Sequence, residues 1–328
     1  MNIKRLKKLL IIFAVLISFC FLSTFSVSAE EISYYLGGNV LGFNIDTEGV
    51  TVVGTNEVIT EGGLVSPCER AGIEVGDVLI SFNEKTVNTP SDIAECLGEY
   101  KGGEIVTKLI RNGEYKLVDL VPVKDLTGEY KLGVYLKDGL NGLGTVTFYN
   151  QDGHFASLGH PVSDERGHIY NVVGGEIFSS SVIGINKAEK GRAGELKGMF
   201  IGDKSIGEVE KNSKVGLYGK MNSFSTENKI KVELGKATPG KAKIYSTVDG
   251  IKPNFYEIQI VKADYFTSTN KNFVLKITDK KLLEITGGIL QGMSGSPIIQ
   301  NGKLVGAVTH VFLNDSSRGY GIAIQNMI

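Results

Sequence analysis

Hydrophobic residues along this chain follow two different patterns. A continuous apolar run from Leu9 to Leu22 comes first, and short apolar runs separated by glycine-rich turns follow it. Several of these runs alternate polar and apolar residues with the period of two that a half-buried strand requires, clearly so at Lys229–Leu234 and Tyr256–Ile260. Few segments carry a helical period, the clearest in the second half being Lys280–Thr286. The pattern predicts a mainly β protein behind an apolar N-terminal segment.

The N-terminal segment has the features of an export signal. Basic residues from Lys4 to Lys8 precede the apolar run, and Val27-Ser28-Ala29 supplies the small residues at which signal peptidase cuts. The uncharged span continues to Ala29, which is long enough to cross a bilayer, so an uncleaved anchor stays open. We predict a signal peptide or membrane anchor over residues 1–29, and a protein exported across a membrane, either secreted or anchored.

Composition narrows the remaining possibilities. The other 299 or so residues suggest two domains, at roughly 100 to 200 residues each. The formal net charge is −1, and no basic stretch predicts nucleic-acid binding. The four histidines and three cysteines form no cluster with metal-ligand spacing, so we predict neither a metal nor a cofactor. An oxidising compartment would permit Cys68 and Cys96 to pair, but two separate thiols are the commoner case.

Residues 34–123 resemble a PDZ domain. The stretch Ser66–Asn83 has the proline, Ala-Gly-Ile and Gly-Asp pattern of bacterial PDZ domains, and Gly37–Ile45 is similar to their carboxylate-binding loop and next strand. The resemblance implies a groove helix from Pro90 to Leu97, with a peptide added as a strand beside the loop. The alternative is a PDZ fold that binds no peptide, because its groove is closed or packs against the neighbouring domain. The implied peptide-binding residues are Leu41, Gly42, Phe43, Asn44 and Ile45.

A serine flanked by glycines lies near the C-terminus, in Gly292-Met293-Ser294-Gly295-Ser296-Pro297. This sequence places a hydroxyl nucleophile beside backbone N–H donors, and the amides of Gly292 and Ser294 could form an oxyanion hole. Two apolar runs joined by Asn301-Gly302 follow, which predicts a hairpin with a tight type I′ turn. The layout resembles the nucleophile strand of chymotrypsin-like serine peptidases. A plain turn between strands is the competing interpretation.

A serine nucleophile needs a base, and the chain offers four histidines. His160 ends the second strand of a predicted hairpin, which is how chymotrypsin-like barrels present their base. His154 lies near the start of that strand, and His168 falls in a polar loop. His310 ends the strand after the serine hairpin, where it could be a rival base or a wall of the pocket.

The second half of the chain also resembles a known family. Residues 144–324 are similar to the stage IV B sporulation peptidases of spore-forming Firmicutes. The motifs that carry this resemblance are Gly153–Asp164, Gly194–Gly198, Thr278–Lys303, Thr309–Phe312 and Gly319–Ile324. The resemblance implies Ser294 as nucleophile, His160 as base and Asp279 as the acid of a triad. It also implies a forespore-made enzyme in the space between the two spore membranes. The resemblance further implies that the enzyme cleaves itself and a membrane-bound regulator of an intramembrane protease, and so starts late transcription in the mother cell.

The acid of the triad has alternatives. Asp279 lies only 15 residues before the serine, and it precedes the helical run, where it could serve as an N-cap. Asp203 lies between His160 and Ser294 at a spacing more like that of chymotrypsin-like chains. Asp164 reads as a loop organiser. The family resemblance favours Asp279.

Together these features predict a signal or anchor helix, a small α+β PDZ domain over 34–123, and an all-β chymotrypsin-like double barrel over 130–328. The predicted function is an exported serine endopeptidase that acts on a protein substrate in sporulation signalling, with the PDZ domain recruiting peptides. One alternative is a catalytically silent PDZ adaptor, since one fold can carry different functions. Another is a general envelope quality-control protease.

Overall fold

The structure is a computed structural model, and it describes Ile3 and residues 32–164, 167–267 and 269–328. The predicted signal or anchor at 1–29 therefore lies, except for Ile3, outside the described residues. Within the described part, none of the helices combines the length and the apolar character needed to span a bilayer.

Short strands dominate the described chain. The first half contains β1 (Tyr34–Leu36), β2 (Val40–Thr47), β3 (Val50–Thr55), β4 (Val58–Thr60), β5 (Gly63–Val65), β6 (Val78–Phe82), β7 (Lys85–Thr86), β8 (Ile105–Arg111), β9 (Glu114–Leu120), β10 (Val123–Lys124), β11 (Tyr130–Lys131), β12 (Val134–Lys137), β13 (Leu140–Asn150) and β14 (His154–Ser157). The second half contains β15 (Val172–Asn186), β16 (Gly194–Phe200), β17 (Gly207–Ser213), β18 (Gly216–Met221), β19 (Lys231–Leu234), β20 (Gly240–Ser246), β21 (Asn254–Ala263), β22 (Phe273–Ile277), β23 (Leu290–Gln291), β24 (Pro297–Gln300), β25 (Lys303–Phe312) and β26 (Asp315–Ala323). The helices are α1 (Pro67–Arg70), α2 (Pro90–Glu99), α3 (Lys280–Thr286) and a 3-10 turn at Ile324–Asn326.

Six strands close into a first ring. Its hydrogen-bonded order is β2, β13, β14, β18, β17 and β15, and β15 pairs back to β2 with antiparallel register. Alternating residues of these strands point inward, as in any small barrel, and fill the interior with side chains. The buried core includes Phe43, Val146, Tyr149, Phe155, Ile177 and Leu217.

A second ring of six strands follows in the order β25, β24, β20, β21, β22 and β26, and β26 pairs back to β25. Its interior contains Ile244, Ile258, Ile260, Phe273, Leu275 and Ile298. The predicted hairpin at Asn301-Gly302 is the β24–β25 turn, where both residues have the positive φ values, 52° and 77°, of a type I′ turn. The mainly β prediction is confirmed, and closed barrels account for most of the sheet.

Short strands join the two rings. β1 pairs with β13 of the first ring and with β19, and β19 in turn runs parallel to β25 of the second ring. A separate parallel pair, β16 with β23, connects the long arm of β15 to the segment before Ser294. The loop that carries the serine therefore lies where the two rings meet.

A smaller sheet is inserted into the first ring, between β2 and β13. It has the order β12, β3, β6, β8 and β9, with β7 paired to β6, and α1 and α2 accompany it. Thr89 caps α2 through the amide of Asp92, and Asp92 accepts the amide of Thr89 in return, which is a capping box. The insert has its own core, including Val52, Leu79, Leu109 and Leu120. Cys68 and Cys96 lie in this insert as free thiols.

The predicted peptide-binding strand at Leu41, Gly42, Phe43, Asn44 and Ile45 is wrong. These residues belong to β2, whose two edges pair with β13 and β15, so neither edge can accept an added strand. Leu41, Phe43 and Ile45 are buried in the core of the first ring. The sheet of the insert accordingly begins at Val50 and ends at Lys137, later than the 34–123 boundaries that the sequence indicated. The glycine-rich pattern of a carboxylate-binding loop misled because a tightly packed barrel strand also needs small residues.

Candidate active site

Ser294 lies in a loop between β23 and β24 whose shape requires glycine. Gly292 and Gly295 both have a φ of 93°, a conformation that other residues rarely adopt. A Cβ atom on Gly295 would lie 2.0 Å from the carbonyl oxygen of Thr145. The two glycines on either side of the serine therefore serve the backbone path of the loop.

Strand β13 of the first ring holds this loop in place. Thr145 donates its hydroxyl to the Gly292 carbonyl at 2.7 Å and its amide to the Ser294 carbonyl at 3.1 Å. Thr147 donates its hydroxyl to the Gly295 carbonyl at 2.7 Å. Both threonines are fully buried, where a satisfied hydrogen bond is costly to remove. The second-ring loop is thus fixed by side chains of the first ring.

The amides of the loop divide into two groups. Those of Met293, Gly295 and Ser296 donate to backbone carbonyls. Those of Gly292 and Ser294 donate to no acceptor among the described residues. Free donors beside a nucleophile are what an oxyanion hole consists of, and they are the two amides that the sequence pattern indicated.

His160 follows a sharp bend at the end of β14. Leu158 and Gly159 have φ values of 66° and 69°, so the strand turns just before the histidine. The Nδ1 atom of His160 lies 2.8 Å from the Pro161 carbonyl oxygen. Burial lowers the pKa of His160, although the Pro161 bond opposes this shift. A carbonyl can only accept, so Nδ1 carries the proton and Nε2 of the neutral ring is an acceptor.

Ser294 and His160 line the same cavity, of about 520 Å³, between the two rings. Most of the other lining side chains are apolar, among them Leu140, Leu143, Leu158, Val162, Leu290 and Val311. No lysine, arginine, aspartate or glutamate from the described residues lines it. The Ser294 hydroxyl donates to the Thr309 carbonyl at 2.7 Å. The structure brings the two residues into one cavity, with the hydroxyl engaged by β25.

Comparison with known proteins fits this arrangement. Residues 128–328 match the SpoIVB peptidase S55 family. The chain belongs to this family. The resemblance to the stage IV B sporulation peptidases is thereby confirmed, over the part of the chain that carries Ser294 and His160.

Curated relatives add a second line of comparison. A putative zinc metalloprotease of Clostridium acetobutylicum is 32% identical over 100 residues, which are 29% of this chain and 30% of that protein. A probable DegP-like periplasmic serine endoprotease of Pseudomonas putida is 28% identical over 134 residues, 32% of this chain and 27% of that protein. The chain therefore spans under a third of the length of these relatives. The family match and the DegP-like relative together support a serine peptidase.

A second histidine shares the cavity. The ring of His310, on β25, lies 5.1 Å from the ring of His160, centroid to centroid. Its Nδ1 is buried without a hydrogen-bond partner among the described residues. Burial, and then electrostatic interaction with His160 and Lys271, lower the pKa of His310 to about 4. The imidazole of His310 is thus a neutral wall of the pocket, one of the two roles that the sequence left open.

None of the three candidate acids lines the cavity. Asp279 is the N-cap of α3, with one carboxylate oxygen 2.9 Å from the Leu282 amide and the other 3.2 Å from the Glu257 amide. Asp203 is exposed, and Asp164 accepts bonds from His168. The capping role of Asp279 is therefore present in the structure, whereas its triad role stays a prediction without a supporting contact.

The inserted sheet has an open groove, but the groove lies beside β12 and not beside Leu41–Ile45, where the sequence predicted it. Strand β12 ends the sheet order, so one of its edges is unpaired among the described strands. Between β12 and α2 lies a cavity of about 1030 Å³, lined in part by Ile93, Leu97, Leu132 and Val134. Gly133 precedes the strand with a φ of 70°, and a Cβ there would lie 2.3 Å from the Asn56 carbonyl oxygen. A sequence signal existed, because Leu132-Gly133-Val134 also has the form of a carboxylate-binding loop.

Proposed function

We propose that this chain is a serine endopeptidase, with Ser294 as nucleophile and His160 as general base. The observation that carries the proposal is that the two side chains, one from each ring, line a single cavity. The amides of Gly292 and Ser294, which have no acceptor among the described residues, support it, since free backbone donors next to a nucleophile can stabilise an oxyanion. The S55 family match supports it independently.

The reaction begins when the Ser294 hydroxyl turns from the Thr309 carbonyl toward Nε2 of His160. His160 takes the hydroxyl proton as the oxygen attacks the scissile carbonyl, and the oxyanion receives the two free amides. The protonated imidazole gives the proton to the leaving amine, and water then releases the acyl-enzyme. Throughout, the Pro161 carbonyl holds the proton on Nδ1 of His160. This tautomer leaves Nε2 free to accept the proton of the Ser294 hydroxyl.

The substrate is a peptide segment that enters extended. Beyond Thr309, β25 pairs only with β26 among the described strands, so the edge of residues 310–312 that faces the cavity is open. Strand addition to such an edge supplies backbone hydrogen bonds for any sequence. The apolar lining then favours an uncharged side chain inside the cavity.

The family match and the N-terminal pattern support a proposal for where the enzyme acts. The protein is exported, secreted or anchored by residues 1–29, and acts between the two spore membranes on a membrane-bound regulator in sporulation signalling, and on itself. The inserted sheet acts as a PDZ-type module that takes a peptide at β12 and recruits the substrate. The open β12 edge and the groove beside α2 support this role.

A fluorophosphonate probe tests the catalytic assignment. We expect the full-length protein to be labelled at Ser294, and labelling to disappear in Ser294→Ala and His160→Ala. Ser296→Ala is the matched control, because this serine lies two residues away but bonds to Ser246 and the Met293 carbonyl. Folded wild-type protein that stays unlabelled would favour the silent adaptor.

A second measurement separates the signalling role from quality control, which the DegP-like relative brings into consideration. We expect the purified enzyme to cleave the ectodomain of a membrane regulator much faster than unfolded casein. Equal rates on both substrates would contradict the signalling role and leave a general protease.

A further inference from the structure

A group of cationic and aromatic side chains lies on the outer wall of the second ring, next to His310. We call it the cationic ledge, and it consists of Lys271, Lys276, Phe312, Arg318 and Tyr320. Phe312, Arg318 and Tyr320 are half-buried, and the two lysines are exposed. The ledge has no part in the chemistry described above.

Its members form a continuous surface. The Lys271 ammonium lies 5.1 Å from the centre of the Tyr320 ring, and the Tyr320 and Phe312 rings are 4.6 Å apart. The Arg318 guanidinium carbon lies 5.8 Å from the centre of the Phe312 ring. Aromatic faces attract cations, so the two rings hold both charges in position along the wall.

The positive charges of the ledge are not neutralised. Arg318 on β26 stands directly opposite Lys276 on β22, and like charges in that arrangement destabilise a sheet. Within the described residues, no ion pair to an aspartate or glutamate involves Lys271, Lys276 or Arg318. The Nε atom of Arg318 is buried and has no hydrogen-bond partner there. A buried donor without an acceptor is costly, and a bound acceptor would remove the cost.

The ledge adjoins the catalytic cavity. His310 lines that cavity, and Lys271 is close enough to contribute to the lowered pKa of His310, after burial and His160. Phe312 lies two residues beyond His310 on the open end of β25. A peptide added along this edge would run from Ser294 toward the ledge.

We propose that the cationic ledge is a subsite that binds an acidic side chain of the substrate, on the segment that lies along β25. The proposal rests on the proposed peptidase function and adds a charge preference to it. Arg318 is the central ligand, because a guanidinium pairs with a carboxylate through parallel hydrogen bonds. Lys271 contributes charge at the end nearer the cavity. A protein substrate is favoured over an anionic membrane because Phe312, Arg318 and Tyr320 are half-buried and Phe312 lies next to Val311, which lines the cavity.

The test uses full-length protein and internally quenched peptides. A peptide that the wild type cleaves is varied to glutamate, glutamine or lysine at each position flanking the scissile bond. We expect kcat/KM to be about tenfold higher for glutamate than for glutamine at one position, the size typical of a hydrogen bond to a charged group. The preference should shrink as salt is added.

Two variants assign the preference to the ledge. Arg318→Gln and Lys271→Gln should each lower kcat/KM for the glutamate peptide more than kcat/KM for the glutamine peptide, and so reduce the ratio of the two. Lys241→Gln is the matched control, since this exposed lysine lies on the same ring two strands away from β22. If Arg318→Gln does not fold, two other variants test the same subsite. Lys271→Gln changes an exposed side chain, and Arg318→Lys keeps the positive charge but loses the parallel hydrogen bonds.

Equal cleavage of the glutamate and glutamine peptides at every position would overturn the proposal, as would a preference that survives both variants. Vesicles of anionic phosphatidylglycerol test whether the cationic ledge binds a membrane surface instead of a peptide. Binding to them that Arg318→Gln abolishes, without any peptide charge preference, would assign the ledge to a membrane instead. Failure of the peptidase function itself would be seen separately, as wild-type protein that neither cleaves a peptide nor labels at Ser294.

Discussion

The two sides of the candidate active site are built in different ways. The serine loop, residues 292–296, is held by hydrogen bonds that cross from one ring to the other, chiefly from Thr145 and Thr147. In the histidine corner, residues 158–161, the imidazole is oriented locally, because it bonds to the carbonyl of the very next residue. The position of the nucleophile therefore depends on hydrogen bonds between the two rings, whereas the orientation of the base depends on an adjacent carbonyl.

One residue joins the two sides. Thr145 supports the serine loop through its hydroxyl and its amide, and its carbonyl accepts the Leu158 amide of the histidine corner at 3.3 Å. The same strand therefore sets the separation between the nucleophile and the base. Substitutions at Ser294 or His160 should abolish peptide cleavage. Substitutions at Thr145 should instead change the distance between the two side chains.

The largest effect should come from the histidine corner. We expect His160→Ala to lower kcat by about 10⁴-fold or more, as loss of a general base does in serine peptidases. Folding should be preserved, because the backbone bonds of the corner stay in place and the imidazole bonds to the adjacent Pro161 carbonyl. Peptide cleavage under saturating substrate measures the effect.

His154→Ala is the matched control for that experiment, since His154 lies on the same strand with 44% of its side chain exposed. We expect it to leave kcat unchanged. Comparable losses in the two variants, or a larger loss in His310→Ala than in His160→Ala, would transfer the role of base away from His160.

A smaller effect is expected at the junction. Thr145→Val removes the hydrogen bond to the Gly292 carbonyl and leaves the side-chain volume nearly unchanged. We expect kcat to fall about tenfold and the free energy of unfolding to fall by roughly 1–3 kcal/mol, the cost of an unsatisfied buried acceptor. Peptide cleavage and urea unfolding measure the two quantities.

Thr147→Val provides the comparison within the same strand, because its hydroxyl bonds to the Gly295 carbonyl instead. We expect a similar loss of stability but a smaller loss of kcat, since Gly292 supplies an oxyanion amide and Gly295 does not. If both variants lose the same activity, β13 supports the loop as a whole and Thr145 has no separate role.

The third effect is a pH dependence at His310, which stands between the two sides. The unfolded chain protonates this histidine near its ordinary pKa of 6.5, whereas the folded chain keeps it neutral down to about 4. The contribution of His310 to the free energy of unfolding should therefore be complete above about pH 6.5 and should be lost as the pH falls toward 4. Urea unfolding at several pH values should show a less steep decline in His310→Gln. An unchanged decline would place the sensitivity elsewhere.

Much of this arrangement was accessible from the sequence, for identifiable reasons. Alternating residues predicted β19 and β21, and Asn301-Gly302 predicted its hairpin, because these patterns are local. Motifs that carry chemistry predicted Ser294 and His160 as catalytic residues, and the structure places both at one cavity. The position of the inserted sheet could not be predicted from the sequence, because β2 pairs with β15 and the paired residues are more than a hundred positions apart. The two candidate loops, Gly37–Ile45 and Leu132-Gly133-Val134, look alike until the pairing is known.

The smallest effect is expected at Asp279, and it bears on the question whether the histidine corner needs an acid. One carboxylate oxygen of Asp279 accepts the Leu282 amide in the first turn of α3, and the other accepts the Glu257 amide of β21. Asparagine caps a helix about as well as aspartate, so Asp279→Asn should change kcat by less than about twofold and stability by only a few tenths of a kcal/mol. Asp279→Ala removes the cap and should lose about 1 kcal/mol. Urea unfolding and kcat measured on both variants separate the two roles.

The exposed Asp203→Asn serves as the reference that touches neither role. A fall in kcat of about 10⁴-fold in Asp279→Asn, with stability intact, is the signature of a triad acid. That result would mean that the carboxylate leaves its cap to reach His160 during catalysis, and the Pro161 carbonyl would then hold the imidazole only in the resting enzyme. With kcat unchanged instead, the carbonyl of a neighbouring residue suffices to orient the base, and the local construction of the histidine corner is complete without an acid.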